Sequence, residues 1–196
     1  MKLIFATKNE GKVKEVIKIF DSDKIEVITM AQAGIDIDVV EDGETFEENA
    51  RKKAVEIMKA SGFPAIADDS GLEIDFLNGQ PGVQSARFMG HDTPYDIKNN
   101  KILEMLRGVP EDKRTARFVS AVCLAMPDGR IFETRGTIEG IIGYEIKGEN
   151  GFGYDPIFYK PEIGRYLADI STEEKNAISH RGKAMAKMRE MVMEIL

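Results

Sequence analysis

A chain of 196 residues is long enough to bury a substantial core, as one globular domain or a compact two-lobed one. A net charge of −7, from 34 acidic against 27 basic side chains, argues against a broadly basic nucleic-acid or anionic-membrane surface but leaves room for a local cationic pocket. The single cysteine, Cys123, excludes an intrachain disulfide, and between Val122 and Leu124 it reads as a small buried hydrophobe.

The N-terminus opens straight into a strand-like run with no charged-then-apolar leader, and no apolar run approaches the ~20 residues that span a bilayer, so a cytoplasmic location is expected. Leu3 to Ala6 predicts a first strand. The polar stretch Thr7-Lys8-Asn9-Glu10-Gly11-Lys12 follows, ahead of an amphipathic helix marked by Val13, Val16, Ile17 and Phe20. That loop admits two readings. The free N–H groups and partial positive charge of a helix N-terminus suit phosphate, with Thr7, Asn9 and Lys12 as added donors; alternatively it is an ordinary capped helix start with solvated lysines. It lacks the glycine spacing of a Walker loop.

Ile25 to Met30 predicts a second strand, after which Asp36, Asp38, Glu41, Asp42 and Glu44 crowd into an acidic loop. Such a loop is either simply solvated or presents one carboxylate to a hard cation. Thr45-Phe46-Glu47-Glu48 fits a capping box opening a helix that Gly62 and Pro64 close, with Asn49 and Lys53 four apart on one face.

In Ala65-Ile66-Ala67-Asp68-Asp69-Ser70-Gly71 an apolar run stops abruptly at two carboxylates, a hydroxyl and a glycine. One reading is a strand end carrying a metal or a general base, because adjacent buried carboxylates repel and a divalent cation removes that penalty. The other is a turn whose side chains bond their own backbone. Strand alternation would send Asp68 and Asp69 to opposite faces.

Leu72 to Leu77 predicts a further strand, and Asn78 to Gly82 an irregular loop. Thr93, with Pro94 at the first helical position, opens a helix through Ile97, Ile102, Leu103 and Leu106 that Gly108 and Pro110 close. Thr115 to Met126 and Ile131 to Ile142 flank Pro127-Asp128-Gly129-Arg130, a hairpin signal. Gly148 to Pro156 holds three glycines with Phe152, Tyr154 and Asp155, ahead of a strand at Ile157 to Tyr159. Aromatics held between glycines are well placed to stack on a flat ligand; a turn with a hydrophobic plug is the alternative. Ser171-Thr172-Glu173-Glu174 is a second capping box, and Ser179-His180-Arg181 precedes a last helix whose Met185, Met188, Val192 and Ile195 read as core. With His91 and His180 the only histidines, a multi-histidine metal site is not expected.

Ala67-Asp68-Asp69-Ser70-Gly71-Leu72, Gly151-Phe152-Gly153-Tyr154-Asp155-Pro156 and Ile178-Ser179-His180-Arg181-Gly182, in this order and with the Thr7 to Lys12 loop before them, closely resemble the inosine triphosphate pyrophosphatase family, which hydrolyses ITP, dITP and XTP. The resemblance runs from Lys2 to the last helix. It implies a single two-lobed α/β domain over residues 1–196, with a long central mixed β-sheet flanked by helices and an active-site cleft between the lobes. It also implies Mg²⁺-dependent hydrolysis of a nucleoside triphosphate to the monophosphate and pyrophosphate, by a homodimer without nucleic-acid or membrane partners.

On that resemblance Asp69 is the catalytic residue, with Glu41 and Asp69 as metal ligands. Thr7, Lys8, Asn9, Glu10, Gly11, Lys12, Lys53 and Lys175 lie at the phosphate-binding positions, and Ser70 donates nearby. Base selection falls to Phe152, Gly153, Tyr154 and Asp155 with His180 and Arg181. Hypoxanthine and xanthine offer an acceptor oxygen at C6 to a donor such as Arg181, where adenine offers an amino group that would leave that donor unpaired. Within the enzyme class the competing reading is a Maf-like pyrophosphatase of modified pyrimidine nucleotides, which would want a different N-terminal serine and arginine pattern. Outside it stands a non-catalytic nucleotide-binding module, which would gain nothing from the Glu41 and Asp69 carboxylates.

Overall fold

The computed structural model of the protein describes residues 1–20 and 22–196. Its strands are Lys2–Phe5 (β1), Glu26–Thr29 (β2), Ala65–Ile74 (β3), Thr115–Ala125 (β4), Ile131–Ile142 (β5), Phe158–Lys160 (β6) and Arg165–Tyr166 (β7). The α-helices are Glu10–Phe20 (α1), Phe46–Ser61 (α2), Tyr95–Met105 (α3), Thr172–Ile178 (α4) and His180–Glu194 (α5). Among the described residues the strands form one seven-stranded mixed sheet in the order β2-β1-β3-β4-β5-β6-β7. β1 pairs parallel with both β2 and β3, and β6 pairs antiparallel with β5 and β7. No helix among the described residues is long and apolar enough to cross a membrane.

The chain divides into two compact units. The first comprises Met1–Asp69, Ser120–Gly136 and His180–Leu196. Its core joins Leu3 and Phe5 of β1, Ile66 of β3 and Val122 and Leu124 of β4 to Val16 and Phe20 of α1 and Met185, Met188 and Val192 of α5. The methionine stripe is therefore packing. Thr45 caps α2 in a full capping box and Gly62 closes it at φ 71°, a left-handed conformation that glycine reaches without Cβ strain. The second unit comprises Ser70–Val119 and Thr137–Ser179. Its core gathers Leu72, Ile74, Ile102, Leu106, Phe118, Ile138, Ile142, Tyr154 and Phe158. Arg114 is buried in this unit as well, its guanidinium donating to the carbonyls of Leu106, Ile142 and Gly143 and lying 4.3 Å from the Tyr144 ring centroid.

Three local expectations give way. β3 does not stop at Asp68 but runs unbroken through Asp68-Asp69-Ser70-Gly71 to Ile74, with Asp75–Leu77 a 3-10 turn. β1 accompanies β3 only at Ala65 and Ile66, so Asp68 and Asp69 follow the last paired residue by two and three positions, and the polar break in sequence marks the loss of one neighbour. Pro94 caps α3 from an extended conformation, and the helix proper begins at Tyr95. Ile157 belongs to a 3-10 turn, and the short strand starts at Phe158. The hairpin forms as expected, closed by Met126 N–H to Arg130 O at 2.9 Å with Gly129 at φ 91°.

Candidate active site

In the first unit the order β2-β1-β3 sends the connection from β1 to one side and the next crossover to the other, and ligands in such sheets bind outside the carboxyl ends of the strands at that point. The loop leaving β1 lies there, and the carboxylates of β3 follow just after its last residue paired with β1. Thr7 Oγ1 accepts from Asn9 N–H at 3.1 Å, and Asn9 Oδ1 accepts from Lys12 N–H at 3.2 Å, so Asn9 is the N-cap of α1. Glu10 and Gly11 form the first turn of α1. Lys8 is exposed and pairs with Asp36 at 3.2 Å and Asp38 at 2.8 Å in the acidic loop. Thr7, Lys8 and Glu10 also line a cavity of about 710 Å³ with Thr29, Met30 and Ile35, whose walls include none of Glu41, Lys53, Asp68 or Asp69.

The two aspartates diverge as strand alternation demands. Asp68 has a side chain with 0% exposure, held by Lys12 Nζ at 3.0 Å from α1 and Arg181 Nε at 3.1 Å from α5, while Arg181 Nη1 also donates to buried Glu15. Burial pushes the Asp68 carboxyl up, but the two cations beside it prevail and hold it well below the usual carboxylate range. Asp69 faces α2: its Oδ2 accepts from Asn49 Nδ2 at 3.0 Å, and Lys53 Nζ stands 3.9 Å from its Oδ1. Burial outweighs Lys53 and Lys12 there, with Glu41 adding repulsion, so the Asp69 pKa is raised.

Lys53 Nζ also donates to Glu41 Oε1 at 2.7 Å. One ammonium thus stands by both carboxylates, a locus for positive charge built from hard oxygen donors. Among the described residues no group of three or more His, Cys, Asp and Glu side chains could hold a metal ion. Two carboxylates are the donor set that suits Mg²⁺, which keeps several waters and takes phosphate oxygens for the rest. Asn49 is the residue that sequence reasoning left out of the site. Its Oδ1 accepts from Gly43 N–H at 2.8 Å while its Nδ2 holds Asp69, tying the end of the acidic loop to the carboxylate. Its position four before Lys53 on one helix face was the available signal. Glu15, three after Lys12 on α1, was legible the same way.

In the second unit the Gly148 to Asp155 loop turns on positive-φ glycines at 148, 151 and 153. A Cβ at Gly151 would lie 2.3 Å from Asp155 Oδ2, so the loop closes on that carboxylate. Asp155 Oδ2 accepts from Phe152 N–H and from Lys175 Nζ, each at 2.8 Å, and Lys175 Nζ lies 4.5 Å from the centre of the Phe152 ring. Lys175, expected with the phosphate-binding lysines, is thereby grouped with the aromatic loop. The ring of Tyr154 departs further from expectation. It is 3% exposed, packs in the core and donates its hydroxyl to Ser85 O at 2.7 Å, so it anchors the loop and Phe152, half-buried, is the aromatic left to meet a flat ligand. Ser70 is half-buried within β3, and Gly153 carries a carbonyl gripped by Asn99. His180 and Arg181 are buried in the first turn of α5; Arg181 donates from Nε to Asp68 and from Nη1 to Glu15, an electrostatic brace for Asp68.

The Ham1 family model matches residues 3–191. A protein of Desulforamulus reducens named dITP/XTP pyrophosphatase is 48% identical over 192 residues, 98% of this chain and 96% of its own length. The solved structure of the Staphylococcus aureus Ham1 protein matches with a TM-score of 0.89 at 38% identity, covering all of both chains. A HAM1 protein structure from Coxiella burnetii matches with a TM-score of 0.90 at 38% identity over 99% of each. With its motifs in order, its sheet topology and its paired carboxylates, the chain belongs to the Ham1 family.

Proposed function

We propose that this protein is a nucleoside triphosphate pyrophosphatase that hydrolyses ITP, dITP and XTP to the monophosphate and pyrophosphate, clearing deaminated purines from the nucleotide pool. The observation that carries the reading is the Lys53 ammonium beside Glu41 and Asp69, next to the cationic Lys12. Phosphate binding alone gains nothing from two carboxylates, whereas hydrolysis needs them to gather a cation and orient water. Glu41 and Asp69 would hold Mg²⁺, which when bound neutralises phosphate charge and eases departure of pyrophosphate.

Asp69 is the base that orients the attacking water and receives its proton. Asn49 fixes the carboxylate by donating to Oδ2. Lys12 and Lys53 supply the positive charge that a triphosphate requires in a chain of net charge −7. Asp68 keeps Lys12 and Arg181 in place without taking part. Phe152, over Lys175 and Asp155, offers the stacking surface for the base. The active form in this reading is a homodimer, checked by light scattering.

Hydrolysis of ITP in ¹⁸O-labelled water with Mg²⁺ tests the step itself. Label in IMP with none in pyrophosphate is expected for attack at the α-phosphorus. Label in orthophosphate, from attack at the γ-phosphorus, would overturn the reading.

A further inference from the structure

We propose that Asn99 is a positioning residue for base discrimination, its side-chain amide holding the Gly153 carbonyl and so setting how Phe152 is presented to the purine. The proposal rests on the reading of Gly151 to Asp155 as the base-binding loop. Asn99 lies on α3, is 2% exposed, and donates from Nδ2 to Gly153 O at 3.1 Å. Its Oδ1 is buried with no hydrogen-bond partner among the described residues. Here the donor end alone is engaged, and its acceptor is the backbone of the loop.

That loop needs an external grip. Gly151 and Gly153 have φ of 76° and 69°, and no strand pairing covers the segment, so the orientation of the peptide following Gly153 is set by whatever holds its carbonyl. On one side Phe152 N–H is fixed by Asp155. On the other Tyr154 is fixed by Ser85 and by an edge contact with Tyr95, ring centroids 5.2 Å apart. Tyr95 and Asn99 are four apart and face the loop together, so α3 holds it at two consecutive residues. Lys98, 1% exposed, steadies that face by donating to Ala86 O at 2.7 Å with its ammonium 4.8 Å from the Tyr95 ring centroid. Asn99 is the only member of this set whose removal frees the carbonyl between the stacking aromatic and the anchoring one.

The test compares Asn99→Asp, which keeps the shape but sets an acceptor against the Gly153 carbonyl, with Asn99→Ser, which serves if the carboxylate blocks folding. KM for ITP, the inhibition constants of IMP and of pyrophosphate, and the ITP-to-GTP ratio of kcat/KM are measured alongside thermal unfolding. KM and inhibition constants report on folded molecules, so a purely structural role would lower yield and Tm without moving them. The expected result is a roughly tenfold rise in the ITP KM and IMP constant, the scale of one lost hydrogen bond, with a fallen ITP-to-GTP ratio and an unchanged pyrophosphate constant. Asn99→Gln, which retains a donor, should recover part of the loss. Unchanged KM, IMP constant and base ratio in the folded variant would overturn the proposal. Phe152→Ala in the same series separates the two levels: if it leaves the IMP constant unmoved, the base-loop reading itself fails, and if it raises that constant while the Asn99 variants do not, only the role of Asn99 fails.

Discussion

The adjacent Asp68 and Asp69 should give opposite phenotypes when each is changed to asparagine. Asp68 is enclosed, with Lys12 at 3.0 Å and Arg181 at 3.1 Å. Removing one partner from such a buried cluster costs about 3–5 kcal/mol, because the remaining charges stay desolvated. Lys12 is 15% exposed and Arg181 keeps Glu15, so the lower end, about 3 kcal/mol, applies to Asp68→Asn. For a chain of this length that is a fall of roughly 6–12 °C in Tm.

Asp69→Asn removes a charge that burial already disfavours, and Asn49 can still donate to the new carbonyl oxygen. Its stability should stay within about 1 kcal/mol of the parent, while turnover falls by about 10³-fold or more as the proposed base and metal ligand is lost. The folded-state pKa of Asp68 is depressed, so its stabilisation is present above the unfolded value of about 3.9 and is lost only as pH falls through the folded one. The Tm gap between parent and Asp68→Asn should therefore persist throughout pH 5 to 8. Thermal unfolding with pyrophosphate release on the same preparations reads both effects. Equal Tm values for parent and Asp68→Asn, or retained turnover in Asp69→Asn, would refute the division of labour.

Arg114→Met should destabilise the protein by about 3 kcal/mol or more, since three backbone carbonyls lose a charged donor at once, and urea unfolding measures it; an unchanged midpoint would contradict the bonding described. A Cβ at Gly136 would lie 2.2 Å from His180 O and 2.8 Å from Ala184 N, so Gly136→Ala must push back the start of α5. A loss of about 1–3 kcal/mol together with reduced activity is expected, because Arg181 moves with that turn. Cys123 is fully buried and its thiol is pushed up to about 12, first by burial and then by Glu133. The neutral thiol is favoured in the folded state, so its contribution is full below the unfolded pKa of about 8.5 and fades as pH rises toward 12. Maleimide labelling at pH 8 should accordingly track unfolding, and rapid labelling of the native protein would count against this.

Where local chemistry decided the outcome, the sequence was readable. The capping boxes at Thr45 and Ser171, the Gly62 stop and the Asp-Gly hairpin all formed as their residues require. The division of Asp68 from Asp69 followed from strand alternation alone. What the sequence could not carry was pairing between distant segments. Asp68-Asp69-Ser70-Gly71 reads as a strand end because its polarity changes there, yet β3 continues, and only the register with β1 explains the polar break. Tyr154 looked like a ligand platform until Ser85, 69 residues away, proved to take its hydroxyl. Lys175 pairs with Asp155, 20 residues away, and Arg181 with Glu15 and Asp68, 166 and 113 residues away, long-range ion pairs that no local pattern announces.

The central claim is tested most directly by product analysis of the purified protein with Mg²⁺ on ITP, XTP, ATP, GTP and UTP, scoring pyrophosphate separately from orthophosphate. Pyrophosphate and the monophosphate from ITP and XTP, with ATP, GTP and UTP far slower, is the result predicted here. Orthophosphate as the product, a preference for UTP, or no turnover of any of the five would contradict it.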